Sequence, residues 1–221
     1  MMWINNKGLH LFGGKLKDTY TYTPPTISAE YFLGRKRSNF VLLDSSYEMG
    51  KLTLPIVFEG ESRKDVALKK SNFEKELFGR CDISLPDEFS YFAFLENIGT
   101  PSFPSEQMIE STYDLKCIRH GWKQIVESET VYCESTLPNT DCIISVTALK
   151  DSSEYQVGTV KFLNVKAGEK LVVDGMDKRI LVNGAPAANR ANWIRFPSLA
   201  PGANHIVCQD PVKVEFYPVY F

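Results

Sequence analysis

The sequence predicts a mainly β protein of two domains, the first with one α-helix and the second a strand-rich sandwich or barrel. Three observations predict strands rather than helices. Val, Ile and Thr number 41 and the aromatics 27, whereas Ala, the best helix former, occurs 11 times. Leu, Ile, Val and Phe make 62 of 221 residues, enough apolar volume for a real core. Apolar runs in the second half recur at intervals of roughly ten residues with turn signals between them, the spacing of a sandwich or barrel.

Within the first 60 residues, Phe12-Gly13-Gly14-Lys15 reads as a turn, and Thr19–Thr23 alternates hydroxyl and aromatic residues before Pro24-Pro25. Lys51–Glu59 is strongly β, with Pro55 implying an edge position or a bulge. A single helix is expected at about 62–78. Ser62 is its N-cap, Asp65 stands where a capping box has Glu or Gln, and Gly79 is the stop. Val66, Phe73 and Leu77 share one face of it, and Lys69, Lys70, Glu74 and Lys75 cover the rest.

Arg80–Leu85 and Phe89–Leu95 read as two strands joined around Pro86-Asp87. The apolar run Phe92–Phe94 suggests cover on both faces. Another strand follows around Glu110–Ile118, and His120-Gly121 is the best boundary, giving domains 1–122 and 123–221. The second-half strands are expected at 129–134, 142–149, 156–163, 170–174, 179–183, 193–196, 205–208 and 211–216. Asn183-Gly184 is the strongest hairpin signal, because both residues tolerate the positive φ of a type I′ turn. In the last strand Val212, Val214 and Phe216 point one way and Lys213 and Glu215 the other.

Charge and motifs exclude several functions. Residues 1–122 and 123–221 each carry a net charge of −1, so neither half has the basic excess that a nucleic-acid backbone demands. The cluster Arg35-Lys36-Arg37 reads as a solvated turn. No apolar run approaches the length of a spanning helix, so no membrane insertion is expected, and no signal peptide is readable at the N-terminus. Five widely spaced cysteines, Cys81, Cys117, Cys133, Cys142 and Cys208, predict reduced, half-buried thiols rather than a disulfide framework or a zinc site.

Candidate chemistry is sparse. His10, His120 and His205 lack a second ligand or base at a useful spacing, which predicts structural or surface histidines. No nucleophile elbow, phosphate loop or dinucleotide motif occurs. Glu106 and Glu110 lie four apart, but a glycosidase needs carboxylates from two elements across a cleft. No catalytic, cofactor-binding or metal residue is therefore assigned, and the expectation is a non-enzymatic protein without a small-molecule ligand. The alternative is a carbohydrate-binding, lectin-like module. Asn189, Arg190, Asn192 and Trp193 supply a sugar-binding palette within five residues, against a loop whose Trp sits in the core.

The C-terminal stretch carries the most specific pattern. Lys170–Asp174, Arg179–Gly184, Phe196-Pro-Ser-Leu-Ala-Pro-Gly-Ala-Asn204 and a closing strand over Val212–Tyr220 resemble the distal tail protein family of long-tailed bacteriophages. In the P-G-x-N turn Pro201 presets φ, Gly202 permits the tight turn, and Asn204 can tie it back. Gly50–Phe58, the helix, Leu77–Leu85 and Phe89–Leu95 follow the same order, while Pro55 and the segment 99–110 depart from it.

The resemblance implies an N-terminal β-sandwich with one α-helix followed by a galectin-like C-terminal β-sandwich, in a structural subunit of a phage or prophage tail that forms a hexameric ring through its first domain with the galectin-like domain outside. Its partners would be further copies of itself, the tail tube protein, and the tail-associated lysin and receptor-binding proteins of the tail tip. It would be made in the host cytoplasm and reside at the virion tail tip, serving host adsorption. Strand edges near residues 3–23 and 51–58 are the expected ring contacts, with Pro24, Pro25 and Pro55 limiting where pairing stops.

Overall fold

The structure is a computed structural model that describes residues 1–33, 40–86 and 89–221. The Arg35–Arg37 cluster, and Asp87 of the expected turn, lie outside the described residues. Strands dominate, with one α-helix among the described residues, as the composition predicts. The chain forms two compact units, residues 1–119 with 221, and residues 120–220.

The first unit contains β1 (Trp3–Ile4), β2 (Lys7–Gly8), β3 (Gly14–Leu16), β4 (Thr21–Thr23), β5 (Ile27–Leu33), β6 (Phe40–Tyr47) and β7 (Gly50–Glu59). Helix α1 (Arg63–Glu76) follows, then β8 (Cys81–Ser84), β9 (Ser90–Ile98), β10 (Ser102–Ser105) and β11 (Met108–His120). The main sheet runs β2-β1-β8-β9-β11-β7-β3, with β4 also on β7 and β10 also on β11. Every second residue of β7 and β11 is buried, including Leu52, Leu54, Ile56, Phe58, Tyr113 and Leu115.

The helix lies on that inner face. Ser62 Oγ accepts from the Asp65 amide at 3.3 Å. The Asp65 carboxylate accepts from the Glu61 amide at 3.0 Å, one residue before the cap, so the reciprocal bond of a capping box is displaced by one position. Val66, Phe73 and Leu77 are fully buried, as their spacing predicts. Phe73 sits among Phe12, Phe58 and Tyr113 at centroid distances of 5.8, 5.5 and 5.3 Å. Gly79 then takes the left-handed conformation with φ 81°.

Two local expectations change here. Pro55 is neither in an edge strand nor at a bulge: β7 pairs with β11 in continuous register, Thr112 opposite Pro55. On the other flank β3 covers Ile56–Phe58 and β4 covers Lys51–Thr53. The Pro55 carbonyl accepts from the Lys17 amide at 3.0 Å, on this flank. Nitrogen and carbonyl of one strand residue point the same way, so the missing donor faces the break between β3 and β4, where no ladder bond is lost. The second change concerns β9, which is covered on one face rather than two. Tyr91 and Ala93 are buried, whereas Phe94 is 44% exposed. Phe92 is roofed by the Arg80 guanidinium at 4.4 Å.

The second unit contains β12 (Gln124–Val126), β13 (Thr130–Cys133), β14 (Thr140–Thr147), β15 (Ser152–Val157), β16 (Val160–Val165) and β17 (Lys170–Asp174). Then come β18 (Arg179–Val182), β19 (Ala185–Pro186), β20 (Ala191–Trp193), β21 (Ser198–Leu199), β22 (Gly202–His205) and β23 (Val212–Phe216). One sheet runs β12-β23-β14-β17-β18-β19 with β21 beside β14, and smaller sheets join β15-β16-β20 and β13-β22. Ile144, Val173 and Val214 from the large sheet share one core with Tyr155, Phe162 and Val131 from the small ones. Two layers about one core make a β-sandwich.

Turn chemistry behaves as its sequence dictates, with one exception. Asn183 and Gly184 adopt φ 50° and 79° and close the β18–β19 hairpin. The Asn204 side chain donates to the carbonyls of Ala200 and Gly202 at 2.8 and 3.0 Å, and accepts from the Ala200 amide at 2.9 Å. The exception is the single strand expected at 156–163, which is a hairpin: Val157 pairs with Val160 across Gly158, whose φ is 56°. Val157 and Val160 are both buried, so the apolar pattern runs through the turn and hides it.

All five cysteines are free. Cys81, Cys117, Cys133 and Cys142 are fully buried rather than half-buried, and Cys208 is half-buried. Burial pushes the thiols of Cys81, Cys117 and Cys142 up to about 11, 12 and 12, so they are poor nucleophiles at neutral pH. A thiol titration is expected to give five per denatured, unreduced chain and, promptly in the native protein, the Cys208 thiol alone. A denatured count of three would show a disulfide.

Candidate functional site

Residues that could carry chemistry are not brought together. His10 is exposed beside Trp3, with ring centroids 6.4 Å apart. His120 is buried, its Nδ1 2.8 Å from the Gly121 carbonyl and its ring edge-on to Tyr217. His205 is exposed in β22 opposite Thr130. Glu106 lies in the turn before β11, and Glu110 is ion-paired with Lys17. Among the described residues no group of three or more His, Cys, Asp or Glu is placed to hold a metal ion.

The segment 189–193 is divided between two tasks. Arg190 donates to both Glu169 oxygens at 3.0 Å and to the Asn164 carbonyl at 2.8 Å, a bidentate clamp on the β16–β17 turn. Trp193 is not in the core, as a simple packing role predicts. It is 40% exposed and lies against Phe196 at 6.1 Å. The guanidinium hydrogen bonds hold the Glu169 carboxyl below its ordinary range. A carboxylate with a lowered folded pKa stabilises the protein above its unfolded pKa, and that contribution drains away as pH falls through the folded value. Arg190→Ala is therefore expected to lower the urea midpoint at about pH 7, with a deficit that shrinks toward about pH 3. A deficit independent of pH would assign Arg190 to packing alone.

The feature that stands out is a surface formed by residues outside every element expected from the sequence. β5 and β6 pair with each other as a two-stranded ribbon separate from the main sheet. Every residue of both strands is exposed. Cross-strand pairs Ile27/Tyr47, Ala29/Ser45, Tyr31/Leu42 and Leu33/Phe40 make one face. The Tyr31 and Phe40 rings meet edge-on at 6.2 Å on that face. Ser28/Ser46, Glu30/Asp44 and Phe32/Val41 make the other, and Leu43 is the extra residue of a bulge. The signal was available: Ile27, Ala29, Tyr31 and Leu33 alternate with period two, and Phe40–Leu43 is a continuous apolar run. The ring contacts expected at 51–58 do not hold as edges, because β7 is paired on both flanks.

No family model matches the sequence, and no curated protein does. Among solved structures the chain is similar to the SPP1 Dit (gp 19.1) protein, described as a paradigm of the hub adsorption apparatus in phages infecting Gram-positive bacteria. The identity is 14%, the TM-score 0.69, and the match covers 100% of this chain and 98% of that one. It is also similar to a chain of the phage p2 baseplate in its activated conformation with strontium, at 6% identity and a TM-score of 0.59. That match covers 93% of this chain and 90% of the other. A chain of the same baseplate with calcium gives 6% identity, a TM-score of 0.56 and 90% coverage of both. From end to end, this chain has the fold of the Dit-type hub proteins of phage tails and baseplates.

Proposed function

We propose that this chain is a structural distal tail protein of a phage or prophage, copies of which close into a hexameric ring between the tail tube and the tail-tip adsorption proteins. The observation that carries this reading is the β5–β6 ribbon. A lone two-stranded ribbon is marginal in water, and an exposed apolar face on it marks an association surface. A ring needs a heterologous contact, one patch of each copy meeting a different patch of the next, and a projecting arm supplies one half of it. The near-zero net charge of the first 122 residues puts little electrostatic repulsion in the way.

The fold shared with the SPP1 Dit protein supports the same reading, since that protein is described as a hub of an adsorption apparatus. On this reading the first domain, about residues 1–122, forms the ring and residues 123–221 form the galectin-like domain outside it. Partners would be the tube protein, the tail-associated lysin and the receptor-binding proteins, at the virion tail tip. Sugar binding is not part of it, because the guanidinium of Arg190 is already committed to Glu169 and Asn164.

Negative-stain microscopy and light scattering of the full chain test the proposal. Rings with a central hole are expected. Replacing Tyr31 and Leu42 together by Ser should leave a folded monomer with a circular-dichroism spectrum like that of the wild type, because both side chains are exposed in the single chain. A wild-type chain monomeric at every concentration overturns the proposal.

A further inference from the structure

The two faces of the ribbon differ in what they tolerate losing to water. The first face exposes Ile27, Tyr31, Leu33, Phe40, Leu42 and Tyr47, between 37% and 64% each. At roughly 100 Å² per side chain this is about 600 Å², the upper range for the largest apolar patch of a monomer. It approaches the roughly 800 Å² per partner of a stable protein interface. Ala29 and Ser45 face each other in its middle, between the pairs Ile27/Tyr47 and Tyr31/Leu42. Two small residues between large ones leave a notch one side chain wide. The second face carries Glu30 directly opposite Asp44, flanked by the exposed Phe32/Val41 pair and Leu43. Like charges across a ladder already repel, and among the described residues no cation pairs with either carboxylate to offset their burial.

We propose that a second copy of this chain covers the Ile27–Tyr47 face alone, seating a side chain in the Ala29/Ser45 notch, while the Glu30/Asp44 face stays in water. The ribbon thus lies on its neighbour instead of being clamped between two layers. This rests on the ring reading and adds the face and the register. Charge selects a single-sided protein contact: the first face is wide enough for one, and covering Phe32, Val41 and Leu43 on the second would bury the acidic pair with them.

Neighbouring residues of β5 provide the test, because Ala29 and Ser28 point to opposite faces of the same strand. Ala29→Arg and Ser28→Arg are compared with the wild-type full chain by sedimentation velocity over a concentration series. Ala29→Arg should weaken self-association at least about tenfold, and Ser28→Arg by less than about twofold. Matching circular-dichroism spectra establish that both variants fold, as expected for exposed positions. Equal loss in both variants overturns the single-sided contact, and equal indifference removes the ribbon from the contact while the ring reading survives. A monomeric wild type overturns both. Flotation with phosphatidylcholine vesicles provides a further check: binding lost in Ala29→Arg would assign the face to lipid and overturn the proposal.

Discussion

Phe73→Ala is expected to destabilise the first unit by about 3–5 kcal/mol. The ring is fully buried and meets three other aromatic rings, so its removal strips helix, sheet and the residues 9–12 turn of their common partner. The site cannot collapse easily. Phe58 and Tyr113 are held by the β7–β11 ladder, and Phe12 by the turn closed at Gly13. A cavity the size of a phenyl ring therefore remains, and the cost stays near the upper end of such changes. Urea unfolding followed through Trp3, which lies in the same unit, measures it. Phe73→Leu should recover most of the loss. A change below about 1 kcal/mol would mean that the helix is held elsewhere, for example by its Lys70–Glu74 and Tyr113–Glu74 contacts.

Gly175→Ala should cost the second unit about 3 kcal/mol or more. A Cβ at this position would stand 2.5 Å from the Pro197 carbonyl and 2.6 Å from the Cys142 carbonyl. Both neighbours are backbone and cannot rotate away. The Gly175 amide also donates to the Cys142 carbonyl at 2.9 Å, so any shift sacrifices that bond. The same movement disturbs the Asp174 carboxylate, which accepts from the Met176 and Asp177 amides at 3.0 and 2.9 Å. Gly202→Ala is the control. Its φ is 92° but a Cβ would meet open space, so only backbone strain of about 1–2 kcal/mol is expected. Equal costs at the two glycines would show that the backbone at Pro197 and Cys142 gives way to the added methyl group.

Features set by short-range rules were legible in the sequence. Ser62, the Val66/Phe73/Leu77 stripe and Gly79 define a helix because capping, the 3.6-residue period and a left-handed stop act within one or two turns. Asn183-Gly184 and Asn204 behave as expected because their turns are set by a few φ angles and one side chain. The overall β character was equally legible, since Val, Ile, Thr and aromatic side chains suit a pleated surface.

Which faces are covered depends instead on long-range packing. An apolar strand states that it can be buried, not by what. The run Phe92–Phe94 looked two-sided, yet only its inner face meets a core in this chain. Pro55 looked like an edge signal and sits inside the sheet, because two short strands, Gly14–Leu16 and Thr21–Thr23, share its flank and leave a gap at its nitrogen. The hairpin at Gly158 was hidden because burial on both sides of the turn kept the apolar pattern unbroken. The ribbon of residues 27–47 is the clearest instance. Its alternation is ordinary strand periodicity, and nothing within those residues distinguishes a strand that joins a sheet from one that pairs only with its neighbour. That distinction rests on long-range pairing: the main sheet closes around β7 without them, and their side chains stay exposed, Tyr47 meeting a ring of the main unit, that of Phe221, at 6.0 Å.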